Sequence, residues 1–221
     1  MTVLVLGASR GIGFEFARQY RAAGERVIAT ARDDAGLKRL QSLGAEPLRL
    51  DVTDVESASG LGGQLAGEPL GVAIYVAGIM SRGGARQAPA PEDFDRVMHT
   101  NVLGAMIAIP QVAPLVAAAS GKFVFISSQM GQIGGASSSY SWLYRTSKAA
   151  LNMAVVAAQA DHPGAIMVAM SPGWVATDMG GPSAPLKAQD SVSAMRAAIA
   201  GLTRRHQAAF LDYDGQRMKS W

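Results

Sequence analysis

The chain has 221 residues, 49% of them hydrophobic, a net charge of +3 and no cysteine. That length supports one domain with a sizeable core better than two small ones. The charge is too small to argue for nucleic acid or an anionic membrane as a partner, and the lack of cysteine excludes disulfides, thiolate metal sites and thiol nucleophiles, so a reducing, cytoplasmic location is expected.

Short apolar runs alternate with longer helical patterns. Residues 2–6 read as a strand, 11–23 as a helix, 26–30 as a strand, and 33–42 as a helix opened by acidic residues. A strand at 45–50 precedes a helix capped by Thr53 or Asp54 and running to about Ala66. After a strand at 71–77, Pro91 starts a long helix to about Ala119 that Pro110 is expected to bend. A strand at 122–127, a helix at 140–160, a strand at 165–170, a mostly helical stretch at 186–202 and a short strand at 208–212 complete the order. This alternation predicts an α/β fold over 1–221, a single domain with a doubly wound parallel sheet of about seven strands and helices on both faces. The irregular stretches 81–90, 131–139 and 179–185 all follow strands, and ligands in such sheets bind beyond the strands' carboxyl ends.

Two segments bear on the membrane. The N-terminus lacks the basic region and the long apolar stretch of a signal peptide. Residues 102–120 carry no charge, but Pro110, Pro114, Gln111 and many alanines favour a buried, kinked helix over a membrane span.

Gly-Ala-Ser-Arg-Gly-Ile-Gly at 7–13 lies directly after the first strand and opens the first helix. Glycines there let the backbone approach a pyrophosphate, and the helix start favours the anion. The alternative is a tight turn without a ligand. No Gly-Lys-Ser/Thr follows, which disfavours nucleoside triphosphates. In a Rossmann-like site an acid at the end of the second strand binds the ribose 2′-hydroxyl of NAD. Here that strand ends Thr30-Ala31-Arg32, and Arg10 and Arg32 suit a 2′-phosphate, so NADP(H) is expected over NAD(H).

Tyr144 precedes Lys148 by four residues, one helical turn. A phenol with a pKa of about 10 is a poor acid at neutral pH, and an adjacent ammonium is expected to lower that value. The pair is therefore a candidate proton donor to a carbonyl. Tyr140 has Tyr144 rather than Lys one turn on and is the poorer candidate. His99, His162 and His206 have neither metal nor triad spacing, and no metal site is expected.

These residues resemble the short-chain dehydrogenase/reductase family over nearly the whole chain. The same order holds Asp51-Val52 after the third strand, Asn101 in Asn-Val-x-Gly, Ser127-Ser128-x-x-Gly131 and Pro172-Gly173-x-x-x-Thr177. The stretches at 144–153, 173–182 and 210–215 resemble its C-factor-like and sniffer-like carbonyl reductase branch.

The resemblance implies reduction of an aldehyde, ketone or quinone by hydride transfer, with Tyr144 as acid. Lys148 would also hold the nicotinamide ribose, Ser128 would polarise the substrate oxygen, and Asn101 would anchor a water relaying protons to Lys148. Periodicity does not choose between Ser127 and Ser128; the family's Ser-x-x-Gly selects Ser128. The implied cofactor set is Gly7, Ser9, Arg10, Gly11, Ile12, Gly13, Arg32, Asp51, Val52, Ala77, Gly78, Tyr144, Lys148, Pro172, Gly173, Val175 and Thr177.

One departure stands out: the family's Asn-Asn-Ala-Gly reads Tyr75-Val76-Ala77-Gly78, which predicts a local packing change without loss of cofactor binding. Trp174, Met130, Met80 and Trp142 are candidates for an apolar substrate pocket or for core packing. The apolar helix face over 149–158 implies a homo-oligomer, a dimer or tetramer as in many family members. A dinucleotide-binding signalling or regulatory protein with incidental turnover is the competing reading.

Overall fold

A computed structural model describes residues 1–221. The continuous apolar runs form the middle of the sheet. Strand β1 (Thr2–Leu6) buries Val3 to Leu6 completely, which requires cover on both faces. Val3 and Val5 face one layer, with Phe16, Ala17, Leu40, Val192 and Ile199; Leu4 and Leu6 face the other, with Ile109, Val112, Leu151 and Val155.

Around β1 lie helix α1 (Gly11–Ala22), β2 (Arg26–Ala31), α2 (Asp34–Ser42) and β3 (Glu46–Arg49). The second half holds β4 (Val72–Tyr75), β5 (Lys122–Ile126), β6 (Ile166–Met170) and β9 (Ala209–Leu211). All seven strands pair in parallel in the order β3-β2-β1-β4-β5-β6-β9. The winding direction reverses between β1 and β4, and such a reversal opens a crevice at the strands' carboxyl ends. There the Leu6 carbonyl accepts from the N–H groups of both Val76 (2.8 Å) and Ala77 (3.1 Å).

Three segments differ from expectation. The helix after Asp54 is two short pieces, α3 (Val55–Ser59) and α4 (Leu61–Gln64). Asp54 caps the first through the N–H groups of Glu56 and Ser57, but Gly60, Gly62 and Gly63 make continuation costly. The long helix from Pro91 departs from α geometry at a π-turn, His99–Leu103, between α5 (Pro91–Met98) and α6 (Gly104–Ala118); Pro110 lies within α6. By length and composition the run Pro91–Ala118 would suffice to cross a membrane, yet half of its most apolar window is buried, and α6 packs on β4 and β5. Finally, β7 (Val175–Ala176) and β8 (Leu186–Lys187) pair in parallel as a small second sheet. Helix α8 (Ala188–Ala200) follows it, and α7 (Trp142–Asp161) precedes β6.

The chain's end returns to the carboxyl side of the sheet. The N–H groups of Ile133 and Gly134 donate to the Trp221 carbonyl at 2.6 and 3.0 Å, and the Trp221 ring stacks on Phe210 at 5.7 Å. The loop 131–139 is thereby tied to the tail.

Tyr75, which stands where the family has asparagine, is fully buried beneath the π-turn. Its ring stacks on Phe125 at 6.1 Å, and its hydroxyl donates to the Thr100 carbonyl at 2.9 Å. A Cβ on Gly104 would lie 2.5 Å from that hydroxyl, so α6 reaches it only because residue 104 has no side chain. Tyr75→Phe keeps the ring and removes the donor. It should destabilise the protein by about 1–2 kcal/mol, read as a lower urea midpoint at constant slope; an unchanged midpoint would show that this bond contributes nothing.

Candidate active site

Backbone contact forces the shape of the glycine loop. Gly7 leaves β1 at φ +89°, and a Cβ there would lie 2.7 Å from the Ala77 nitrogen. A Cβ on Gly13 would lie 2.2 Å from the Gly7 carbonyl oxygen, so α1 packs directly on the loop. The loop is held from behind, since the N–H of Gly7 donates to the Thr30 hydroxyl (2.9 Å) and that of Ala8 to the Thr30 carbonyl (2.8 Å). No side chain caps α1, so the first-turn N–H groups have no acceptor in their own helix. This is a cradle for a phosphate, and its fit to a dinucleotide's pyrophosphate follows from the glycines and the amides alone.

At the far end of β2, Asp33 caps α2 by accepting from the Gly36 N–H at 2.6 Å. Arg32 is exposed, and its charge reaches Asp51. Partial burial raises the Asp51 pKa, but the Thr53 hydroxyl and N–H, at 2.7 and 2.9 Å, together with Arg32, outweigh that effect and hold it below the usual carboxylate value. Arg39 was not foreseen. It donates through Nε and Nη2 to the Ser9 carbonyl, at 3.2 and 3.1 Å, from one face of α2. Arg10 turns the other way, across the loop, to pair with Asp178 at 3.2 Å.

The chemical residues converge at the end of β5. Helix α7 starts at Trp142, two positions later than the sequence suggests a helix, directly after Ser141, a left-handed residue (φ +55°). It presents Tyr144, 6% exposed, and Lys148, 3% exposed, on its inner face. Lys148 Nζ donates to the Ile126 carbonyl at 2.8 Å and lies 5.7 Å from the centre of the Tyr144 ring. A Cβ on Gly131 would lie 2.9 Å from Lys148 Cβ, which explains a glycine three residues after Ser128.

The two serines part company. Ser127 donates to Asn152 Oδ1 at 2.6 Å in the interior, whereas Ser128 is partly exposed, accepts from the Met130 N–H at 3.1 Å and stands close enough to Tyr144 to lower the pKa of its hydroxyl. Asn101, on the π-turn, is fully buried. Its Oδ1 accepts from the Ile79 N–H (2.8 Å), and its Nδ2 donates to the Ile79 carbonyl and Ser147 Oγ, both at 2.9 Å. The side chain is thus a brace between the β4 loop and α7. A Cβ on Gly78 would lie 3.4 Å from both Asn101 Oδ1 and Lys148 Nζ, so this glycine keeps the space between them open.

One expectation needs correction. Lys148 does not lower the Tyr144 pKa in this arrangement. Burial pushes the phenol up to about 12, with Ser128 offsetting part of the rise, and burial also pulls Lys148 down to about 8. Both groups lose water, and the ammonium is turned toward the Ile126 carbonyl, so desolvation outweighs their mutual influence.

The segment after β6 closes the far wall. Gly173 (φ +75°) has no room for a Cβ, which would meet Leu186 at 2.6 Å. The Pro172 carbonyl accepts from Ser191 Oγ at 2.6 Å, Val175 is buried in β7, and the Thr177 methyl packs 3.7 Å from where a Gly11 Cβ would stand. Thr177 therefore sits against the start of α1. Val52 contacts Gly104 through its carbonyl and side chain. Trp174 is 57% exposed, its Nε1 donating to the Gly180 carbonyl at 2.9 Å. Met80, Met130 and Trp142 are half-buried, so none of the four is packed in the core.

Comparison with known proteins agrees with this geometry. A family model described as short chain dehydrogenase matches residues 1–187. The C-signal protein of Myxococcus xanthus is 37% identical over 150 residues, covering 66% of this chain and 90% of that one. The carbonyl reductase Sniffer of D. melanogaster superposes with a TM-score of 0.91 at 26% identity, covering 100% and 99% of the two chains. A short-chain dehydrogenase/reductase of Burkholderia multivorans with bound NADP superposes at 0.88 with 32% identity, covering 100% and 99%. The seven-stranded parallel sheet, the glycine loop on α1 and these likenesses together make the chain a member of the short-chain dehydrogenase/reductase family, an NAD(P)-dependent oxidoreductase akin to the C-factor and Sniffer branch.

Proposed function

We propose that the protein is an NADP(H)-dependent carbonyl reductase in which Tyr144 hands a proton to the oxygen of an aldehyde, ketone or quinone. The observation that carries this reading is the convergence of Tyr144, Ser128 and Lys148 at the carboxyl end of β5, beside the crevice between β1 and β4. When bound, the nicotinamide supplies the hydride. The loop at 7–13 and the first turn of α1, with Ser9, Gly11, Ile12 and Gly13, hold the pyrophosphate. Asp51 and Val52 face the adenine, Ala77 and Gly78 leave room for the ribose, and Pro172, Gly173, Val175 and Thr177 line the nicotinamide end.

Ser128 orients and polarises the carbonyl. Tyr144 stays protonated through the neutral range and so holds the proton to be given, with Ser128 offsetting part of the rise that burial causes. Asn101 fixes the π-turn beside Lys148, and the space kept open at Gly78 is where a water would relay protons. A regulatory dinucleotide sensor needs the glycine loop but not a lysine held out of water, whose burial weakens the fold. NADPH oxidation with a panel of aldehydes, ketones and quinones tests the reading. Tyr144→Phe should lower kcat/KM about 10²–10⁴-fold while NADPH still binds; equal rates would remove the mechanism.

The preference for NADP(H) rests on Arg32 beside Asp51, on Arg39 beside Ser9, and on the absence of an acid at the end of β2. Arg10, engaged with Asp178, is the weaker contributor. Arg32→Asp should reverse the ratio of kcat/KM for NADPH over NADH, and an unchanged ratio would reject Arg32 as the discriminating residue.

A further inference from the structure

The three loops around the mouth of the site share an unusual charge pattern. Residues 81–90 contain Arg82 and Arg86, residues 131–139 and 179–185 contain no charged residue, and none of the three holds an acid. Any substrate entering there meets only positive charge from these loops.

Arg82 is placed across that mouth. It follows β4, yet its Nη2 donates to the Met179 carbonyl, beyond β6, at 3.2 Å. The segment that holds Met179 runs back over the crevice, since Thr177 lies against Gly11 and Asp178 pairs with Arg10, so the bond joins the loop after β4 to the wall of the site. The arm carrying Arg82 is anchored beside it. The Gly83 carbonyl accepts from the N–H of Trp142, two residues before Tyr144, at 3.4 Å, and Gly84 lies against Ser139. Arg82 has no carboxylate partner. Of the nearby acids, Asp178 pairs with Arg10 and Asp212 accepts from Gln129. A guanidinium has five N–H groups, and the contact with Met179 uses one of them.

We propose that Arg82 binds an anionic group on the substrate, so that the preferred substrates are carbonyl compounds bearing a carboxylate or phosphate away from the reacting carbon. The planar fork of the guanidinium fits either anion with two parallel hydrogen bonds. The inference deepens the carbonyl reductase reading and rests on it.

The test uses aldehydes matched in their reacting group: 4-formylbenzoate against its methyl ester, and 4-formylphenyl phosphate against 4-methoxybenzaldehyde, each with saturating NADPH. In the wild type at least one charged probe should exceed its neutral partner about tenfold in kcat/KM, at the low end of one charge-assisted hydrogen bond, with the difference in KM and shrinking as salt rises. The member of the pair that shows the gain identifies the anion. In Arg82→Gln the charged-to-neutral ratio should fall to about one, and in Arg82→Lys it should stay between the two. Because each ratio is taken within one enzyme, a general loss of activity does not imitate the result. A ratio of one in the wild type, or an unchanged ratio in Arg82→Gln, overturns the assignment and leaves the reductase reading standing. Turnover of none of the four aldehydes, or Tyr144→Phe matching the wild type, overturns the reductase reading and this inference with it.

Discussion

Lys148 carries its ammonium into the protein interior and meets a single carbonyl there, that of Ile126 at the end of β5. Desolvation of this kind weakens a fold, and here it draws the pKa down to about 8. The carboxyl end of the sheet is arranged around it. Gly131 has no side chain because Lys148 Cβ occupies that position, and Gly78 leaves free the space between Nζ and Asn101. Tyr144 lies one turn earlier on the same helix, and Ser128, in the turn just after β5, lowers the pKa of its hydroxyl. Replacing the lysine with an apolar residue would relieve the desolvation and leave these accommodations without a purpose.

The supports of this cluster are mostly main-chain features. The π-turn at His99–Leu103 aims Asn101 at the loop after β4 and at Ser147. Tyr75 secures the turn from beneath through the Thr100 carbonyl, so the residue that departs from the family pattern takes on a bracing role in the same place. On the opposite side, Trp221 fixes the main chain of Ile133 and Gly134. The loop 131–139 is thus held at its root by α7 and farther along by the tail. A rigid frame of this type sets the separation of hydroxyl and carbonyl, on which proton transfer depends.

Much of this was legible in the sequence. Continuous apolar runs identified the central strands β1, β4 and β5, because strands covered on both faces rarely tolerate polar side chains, whereas the edge strand β3, with Glu46 and Arg49, was legible only from its place in the alternation. The residues at the mouth were legible because their chemistry restricts the choice: glycine where a Cβ would clash, Tyr and Lys one turn apart, serine at a strand's end. Other features were not legible, for physical reasons. A π-turn adds one residue and shifts the phase of the hydrophobic pattern, but α6 is apolar nearly all round and hides that shift, so His99–Leu103 looked continuous and Pro110 drew the expected bend. Arg39 reaches Ser9 from α2, a contact between segments 30 residues apart that no local pattern encodes. The raised pKa of Tyr144 depends on burial from every side, whereas the helical spacing reports only the lysine. Arg82 resembles any surface arginine until its bond to Met179 and the contact of Gly83 with Trp142 place it at the mouth of the site.

The central claim is spatial: one carbonyl group must be able to touch the Tyr144 hydroxyl and the hydride-bearing carbon at once. A crystal structure with NADP⁺ bound measures this directly, through the position of the nicotinamide C4 relative to Tyr144 Oη and Ser128 Oγ. The account predicts the ring against Pro172–Thr177, with C4 and the hydroxyl facing the same space and both in reach of a single carbonyl. A ring turned away from Tyr144, or a dinucleotide seated elsewhere than the crevice between β1 and β4, would contradict it.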